Sequence, residues 1–126
     1  MANRHTIQRD IVFDAVNTLK THPTAEEIYM HIHAAHPTVS RATVYRNLAY
    51  LADSGQVLHV ELPNAADIYD YKTAPHYHIR CVECGRVFDI DFSYIDEIEK
   101  LIPSSGGFRI LSHDIIFTGV CPRCDR

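Results

Sequence analysis

Apolar residues in the first half of the chain return every three or four positions. Ile11, Val12, Ala15, Val16 and Leu19 fall on one helical face, and Ala25, Ile28, Tyr29 and Ile32 on a second. That second helix is predicted to open at Thr24-Ala25-Glu26-Glu27, where the Thr side chain can cap the Glu27 amide while Glu27 reaches back. It should close before Pro37, whose ring disfavours helix at His36. A third helix is expected from Ser40 as N-cap, burying Val44, Leu48 and Leu51 and stopping at Gly55.

The period then changes to two. Leu58, Val60 and Leu62 alternate with His59 and Glu61, and after the turn-forming run from Pro63 to Asp67 a second short strand, Ile68 to Tyr71, is predicted to run back. Three helices followed by a two-stranded ribbon is the order of a winged helix-turn-helix. Strand patterns resume at Ile79 and Cys81, at Phe88, Ile90 and Phe92, and at Phe108 to Thr118. A helix is expected between them, from Ser93 with Ile95, Ile98, Leu101 and Ile102 as its buried face, ending at Pro103 and the Ser-Ser-Gly-Gly that follows. The expected architecture is therefore α+β, a winged helix-turn-helix in residues 1–73 and a small α/β domain in residues 74–126.

Composition narrows the function. At 126 residues a large multidomain enzyme is excluded, and 46% hydrophobic residues suit a folded chain. No apolar run approaches the roughly 20 residues that span a bilayer, and no apolar stretch follows Arg4 as in a secretory signal, so a cytoplasmic protein is expected. The formal charge is −4, and residues 1–62 carry five Lys+Arg against six Asp+Glu. DNA binding by general attraction is thus disfavoured, and recognition would have to be local or conditional. Nine histidines point toward metal or pH.

Cys81-Val82-Glu83-Cys84 and Cys121-Pro122-Arg123-Cys124 are two CxxC pairs separated by 36 residues, a gap that a strand-helix-strand excursion can close. Four converging thiolates suit a closed, structural tetrahedral zinc site, and Gly85 fits the tight turn after the first pair. Two disulfides, a thioredoxin-like pair and an iron–sulfur cluster are the rival readings. Disulfides conflict with the missing secretory signal, and a single redox pair leaves the second CxxC unexplained.

His76-Tyr77-His78 places two imidazoles on one face of a strand, with Asp89 in the next strand and Asp70 at the end of the hairpin. His22, at the joint between the first two helices, is a further candidate, its plainer reading being a cation at the end of the first helix. Together they make three imidazoles and two carboxylates, a set suited to Fe(II) or Mn(II). An open facial site of His76, His78 and Asp89 in a mononuclear metalloenzyme is the competing reading, but no acid-base or nucleophile constellation accompanies it. His5, His31, His33, His36 and His59 are assigned to exposed faces. In the third helix Ser40, Arg41, Thr43, Tyr45, Arg46 and Asn47 are the candidate DNA contacts, with Arg41 and Arg46 able to reach phosphates or guanine edges.

The segments His22 to Tyr29 and Ser40 to Leu48, the His76-Tyr77-His78 triplet and both CxxC pairs together resemble the ferric uptake regulator family, from about Thr6 to Cys124. The resemblance implies a repressor without enzymatic activity, homodimeric through its C-terminal domain, bound to an inverted-repeat operator in double-stranded DNA, with structural Zn(II) and a regulatory metal that sets its DNA-binding geometry. It maps the regulatory ligands to His22, Asp70, His76, His78 and Asp89. Asp89 stands where iron-sensing members typically carry Glu and peroxide-sensing members Asp, which implies oxidation of His22 or His76 by peroxide when Fe(II) is bound and none with Mn(II). An iron- or zinc-responsive repressor is the alternative within the family. Iron-responsive relatives often have His-His-Asp-His where this chain has Pro75-His76-Tyr77-His78, so a further metal site in that domain is not expected, although Asp96 and His113 remain. Relatives also usually carry an additional helical segment before Thr6, so upstream DNA-backbone contacts are expected to be missing.

Overall fold

Three capped helices begin the computed structural model, which describes residues 3–125; Met1, Ala2 and Arg126, the outer ends of the two predicted domains, lie outside the described residues. Helix α1 spans Arg4–Thr18 and starts where the Asn3 side chain accepts from the Thr6 amide at 2.9 Å. Helix α2, Ala25–Ala35, opens with the reciprocal cap read from the sequence: Glu27 N donates to Thr24 Oγ1 at 3.2 Å and Thr24 N to Glu27 Oε1 at 3.0 Å. Helix α3, Arg41–Asp53, is capped by Ser40, whose Oγ accepts from Thr43 N at 3.1 Å. It ends at Gly55, whose φ of +78° is the left-handed conformation that lets the chain leave a helix at little cost.

The three helices bury one another's apolar faces. Val12, Ala15 and Val16 of α1 meet Ile28 and Ile32 of α2 and Val44, Leu48 and Leu51 of α3 in a single cluster, with Val39 and Val57 closing it. Strands β1 (Leu58–Val60) and β2 (Ile68–Asp70) follow as an antiparallel hairpin with Leu58 opposite Asp70. Helices and hairpin form one compact unit, residues 1–74.

Residues 75–126 form a second unit. Its sheet has the order β4-β3-β5, with β3 (His78–Cys81) antiparallel to β4 (Val87–Asp89) and parallel to β5 (Ile116–Gly119). A parallel neighbour needs a crossover of a dozen residues or more, and residues 90–115 supply it.

That crossover differs from expectation. The predicted helix from Ser93 is reduced to one 3-10 turn, Ile98–Leu101, and the predicted strand from Phe108 is confined to Ile116–Gly119. The physical reason is burial. An amphipathic helix this short needs a partner for its apolar face, whereas Leu101 is 77% exposed and Ile95 and Ile102 are exposed too; Phe108 and Leu111, in the part of the predicted strand that does not form, likewise meet no cover within the unit. Among the described residues no helix is long and apolar enough to cross a membrane.

Candidate metal centres and nucleic-acid interface

The four cysteines come together through the register of β3 and β5. Cys81 closes β3 opposite Gly119, so that Cys121, two residues on, folds over the end of the sheet and its amide points at Cys81 Sγ from 3.4 Å. Each CxxC is a tight knuckle: Gly85 N donates to Cys81 O and Asp125 N to Cys121 O, both at 2.9 Å. Gly85 adopts φ +77°, as a knuckle turn requires. The four sulfurs lie within 4.8 Å of one another, and Cys84 and Cys121 are 3.9 Å apart. Sulfurs around tetrahedral zinc at Zn–S ~2.3 Å stand about 3.8 Å apart, so the spacing fits the metal, while all four thiols are free of disulfide.

Electrostatics divides the set. The amides of Cys84 and Cys121, aimed at Cys81 Sγ, lower its thiol from the usual 9.0 to about 6. Hydrogen bonding to Cys121, followed by desolvation and the other sulfurs, pushes Cys124 up to about 12. One thiolate is thus ready at neutral pH, and a bound dication would have to expel the proton held by Cys124.

The other predicted ligands fall into one group in each unit. In the first, the peptide after His22 is drawn onto the hairpin, since Tyr69 N donates to Pro23 O at 2.8 Å and Thr24 bridges Ile68. This sets His22 Nε2 3.3 Å from Asp70 Oδ2. Asp70 is 2% exposed and its other oxygen accepts from Lys72 N at 2.9 Å. His22 holds φ +60°, a strained conformation for a residue with a Cβ. It lies beyond α1, which ends at Thr18, so the alternative role as a cation on that helix's last turn does not apply.

In the second unit His78 faces Asp89 across the β3–β4 register, and Asp89 Oδ1 lies 3.7 Å from His78 Nε2 and 3.2 Å from His76 Nε2. The two imidazoles have ring centroids 4.4 Å apart. His78 is 3% exposed, His76 is half-buried, and Asp89 is the open member of the group. Two nitrogens and a carboxylate converging on one point can bind a divalent ion. His5, His31, His33, His36 and His59 are exposed.

His113 belongs to neither group. Its Nε2 meets the Tyr77 hydroxyl at 2.7 Å and its Nδ1 meets Glu99 Oε1 at 2.8 Å, while the Tyr94 ring stacks on it at 4.7 Å. Among the described residues neither Asp96 nor His113 joins a cluster of three or more ligating side chains.

On α3 the six candidate DNA contacts separate. Tyr45 and Arg46 are exposed, as are Arg41 and Ser40 at its start. Thr43 and Asn47 differ from the expectation: they are 9% and 8% exposed, and the Asn47 amide donates to Thr43 O at 2.8 Å, inside the helix that it was expected to present to DNA. The reason is phase, because positions 43, 44, 47, 48 and 51 make one inward stripe. Sequence reasoning also missed the partner of Arg41, Glu26 on α2, though its position in the first turn of a capped helix marked it as an anion near α3.

Comparison with known proteins adds independent information. The model of the ferric uptake regulator family matches residues 1–118. The peroxide operon regulator of Bacillus subtilis (strain 168) is 34% identical over 123 residues, covering 98% of this chain and 85% of that protein. Among solved structures, the Campylobacter jejuni peroxide stress regulator superposes with a TM-score of 0.75 at 28% identity, covering 96% of this chain and 91% of that one. The Helicobacter pylori ferric uptake regulator Fur, whose structure is described as revealing three functional metal binding sites, reaches a TM-score of 0.78 at 24% identity, covering 98% and 86%. At that identity it speaks for the fold alone.

Proposed function

The chain belongs to the ferric uptake regulator family, and from that premise we propose that it is a metal-dependent repressor that senses peroxide through oxidation of one of its own ligand histidines. The coarser part, a metal-responsive transcriptional regulator with peroxide-regulator relatives, follows from membership. The finer part rests on one observation above all: His76 and His78 converge on a single oxygen of Asp89.

His76, His78 and Asp89 would hold the regulatory ion together with His22 and Asp70. Three imidazoles and two carboxylates are borderline and hard donors, fitting Fe(II) or Mn(II) better than a thiolate set would. Two carboxylates balance the charge of the dication. The four cysteines would hold Zn(II) as a closed structural site. Drawing ligands from both units makes metal affinity depend on their arrangement, which is what a switch needs. Moving a 1:99 mixture to 99:1 takes about 5.5 kcal/mol of differential binding, within reach of five ligands but not of a two-ligand surface site.

Bound Fe(II) would supply redox chemistry with peroxide that Mn(II) does not. In net terms one oxygen from hydrogen peroxide is added to a ring carbon of His22 or His76 and water is released. The altered imidazole is then a poorer ligand, and the arrangement that binds DNA is lost.

In the DNA complex α3 enters the major groove with Tyr45 and Arg46 outermost, and the β1–β2 hairpin lies along the backbone. A homodimer formed by residues 75–126 would cover Leu101, Phe108 and Leu111, and a two-fold dimer reads an inverted repeat.

The test is operator binding with Mn(II), Fe(II) and Zn(II), each before and after equimolar peroxide. Loss confined to the Fe(II) form, with one oxygen on a peptide containing His22 or His76, is expected. Binding that survives peroxide in every form would leave an iron- or zinc-responsive repressor, and disulfides appearing first at Cys81–Cys84 or Cys121–Cys124 would point to a thiol sensor.

A further inference from the structure

The two arginines at the exposed start of α3 are not equivalent. Arg46 bonds within its own helix, its Nη2 donating to Thr43 Oγ1 at 3.4 Å. Arg41 is clamped by α2: its Nε donates to Glu26 Oε2 at 3.0 Å and its Nη2 to Glu26 Oε1 at 2.8 Å, while the guanidinium carbon stands 4.4 Å above the Tyr29 ring. A fork-to-fork pair satisfies the edge of the guanidinium that would otherwise take a phosphate in the same bidentate way. The side chain of Glu26 is 48% exposed and that of Arg41 59%, so the pair lies in solvent and is screened by salt.

Resting on the DNA-binding reading above, we propose that Glu26 is a specificity-determining residue: by clamping Arg41 it withholds that guanidinium from the DNA backbone and keeps attraction to arbitrary sequence low. Charge makes the effect large relative to the rest of the unit. Residues 1–62 carry five cations in all, and Arg41 and Arg46 are the two on α3. Neutralising one of them halves the positive charge at the reading helix and leaves recognition to Arg46 and Tyr45. Glu26 lies in the first turn of α2, where the helix terminus favours an anion, so the clamp is held from behind as well.

The experiment is a double-mutant cycle with Glu26→Gln and Arg41→Ala in the metal-loaded full chain, read as affinity for operator and for scrambled duplex from about 50 to 200 mM salt. Gln keeps the size and one acceptor but drops the charge. With Arg41 released, log affinity for the scrambled duplex should fall more steeply with log salt by about 0.9, so that the loss across that range grows roughly 3.5-fold. The ratio of operator to scrambled affinity should fall. In the Arg41→Ala background Glu26→Gln should leave the salt slope unchanged, and Arg41→Ala alone should alter operator binding far less than Arg46→Ala does. An equal effect of Glu26→Gln with and without Arg41 would overturn the proposal, since Glu26 would then act by repelling phosphates directly. An unchanged slope in the single variant would overturn it too. Failure of the wild-type chain to bind any DNA with any metal would instead remove the regulator reading, and this inference with it.

Discussion

The Tyr77 hydroxyl and His113 Nε2 are 2.7 Å apart although 36 residues separate them in the chain. Their roles are set by a third group. The Glu99 carboxylate can only accept, so His113 Nδ1–H donates to it at 2.8 Å and the Nε2 of the neutral ring accepts from the phenol, whose oxygen in turn accepts from Ile95 N at 3.1 Å. This relay pins β3 to the crossover from the face opposite the one bearing His76 and His78. The same His113 bond holds the Glu99 carboxyl below its usual range.

Tyr77→Phe keeps the ring and deletes the hydroxyl, leaving His113 and the Ile95 amide short of a partner. Urea unfolding of zinc-loaded protein should show a loss of about 1–3 kcal/mol. Wild-type stability in that variant would mean that the relay contributes nothing.

Cys124→Ser should release zinc and the dimer together, because the knuckles close the sheet around both CxxC pairs. Metal analysis and sedimentation check it, and a zinc-free variant that stays dimeric and folded would exclude a structural role.

Zinc retention should also depend on pH in a defined direction. With its thiol lowered to about 6, Cys81 is a thiolate above that value and takes up a proton as pH falls through it. Zinc must then displace that proton, so the part of the apparent zinc affinity that depends on Cys81 should be constant above about pH 6 and weaken as pH falls below it. Cys124, raised to about 12, yields its proton only to the metal, so zinc uptake near neutral pH should release a proton from Cys124 and essentially none from Cys81. Calorimetry of zinc uptake by the wild-type chain in buffers of different ionisation enthalpy counts the protons released, which should number fewer than the four ligating thiols.

Arg46→Ala and Tyr45→Ala should each weaken operator binding by about 1–3 kcal/mol, roughly 5- to 150-fold, without changing zinc content or dimerisation. Asn47→Ala should act differently. Its amide is buried against the Thr43 carbonyl, so it should cost about 1 kcal/mol of stability while footprints keep their sequence preference. A shifted footprint in Asn47→Ala would return that residue to the reading surface.

Asp89→Asn should lower Mn(II) affinity at least about tenfold and leave the tightly held zinc in place, as read by metal titration and elemental analysis. The substitution removes the negative charge of the carboxylate whose Oδ1 His76 and His78 share. Unchanged Mn(II) binding would separate this cluster from the regulatory metal.

Local chemistry carried the helical half of the molecule. Thr24 and Glu27 cap α2, Ser40 caps α3, Gly55 ends it, and Val44, Leu48 and Leu51 are buried, because caps and a 3.6-residue period act over a few neighbouring positions. The two CxxC pairs were legible for the same reason, each being a self-contained knuckle.

What the chain alone did not reveal depends on contacts distant in sequence. The helix expected from Ser93 shrinks to one turn because Leu101 and Ile102 find no cover within their unit, a matter of neighbours rather than of propensity. Thr43 and Asn47 turn inward because the packing of α3 on α1 and α2 settles which side of a mixed stripe faces the core. Composition could not say whether Arg41 meets a phosphate or Glu26, nor that His113 would be engaged by Tyr77 and Glu99. A side chain's hydrogen-bonding capacity is written in the sequence, but the partner that uses it is chosen when the fold brings elements together, and here that choice separates the histidines proposed as ligands from the one held by Tyr77 and Glu99.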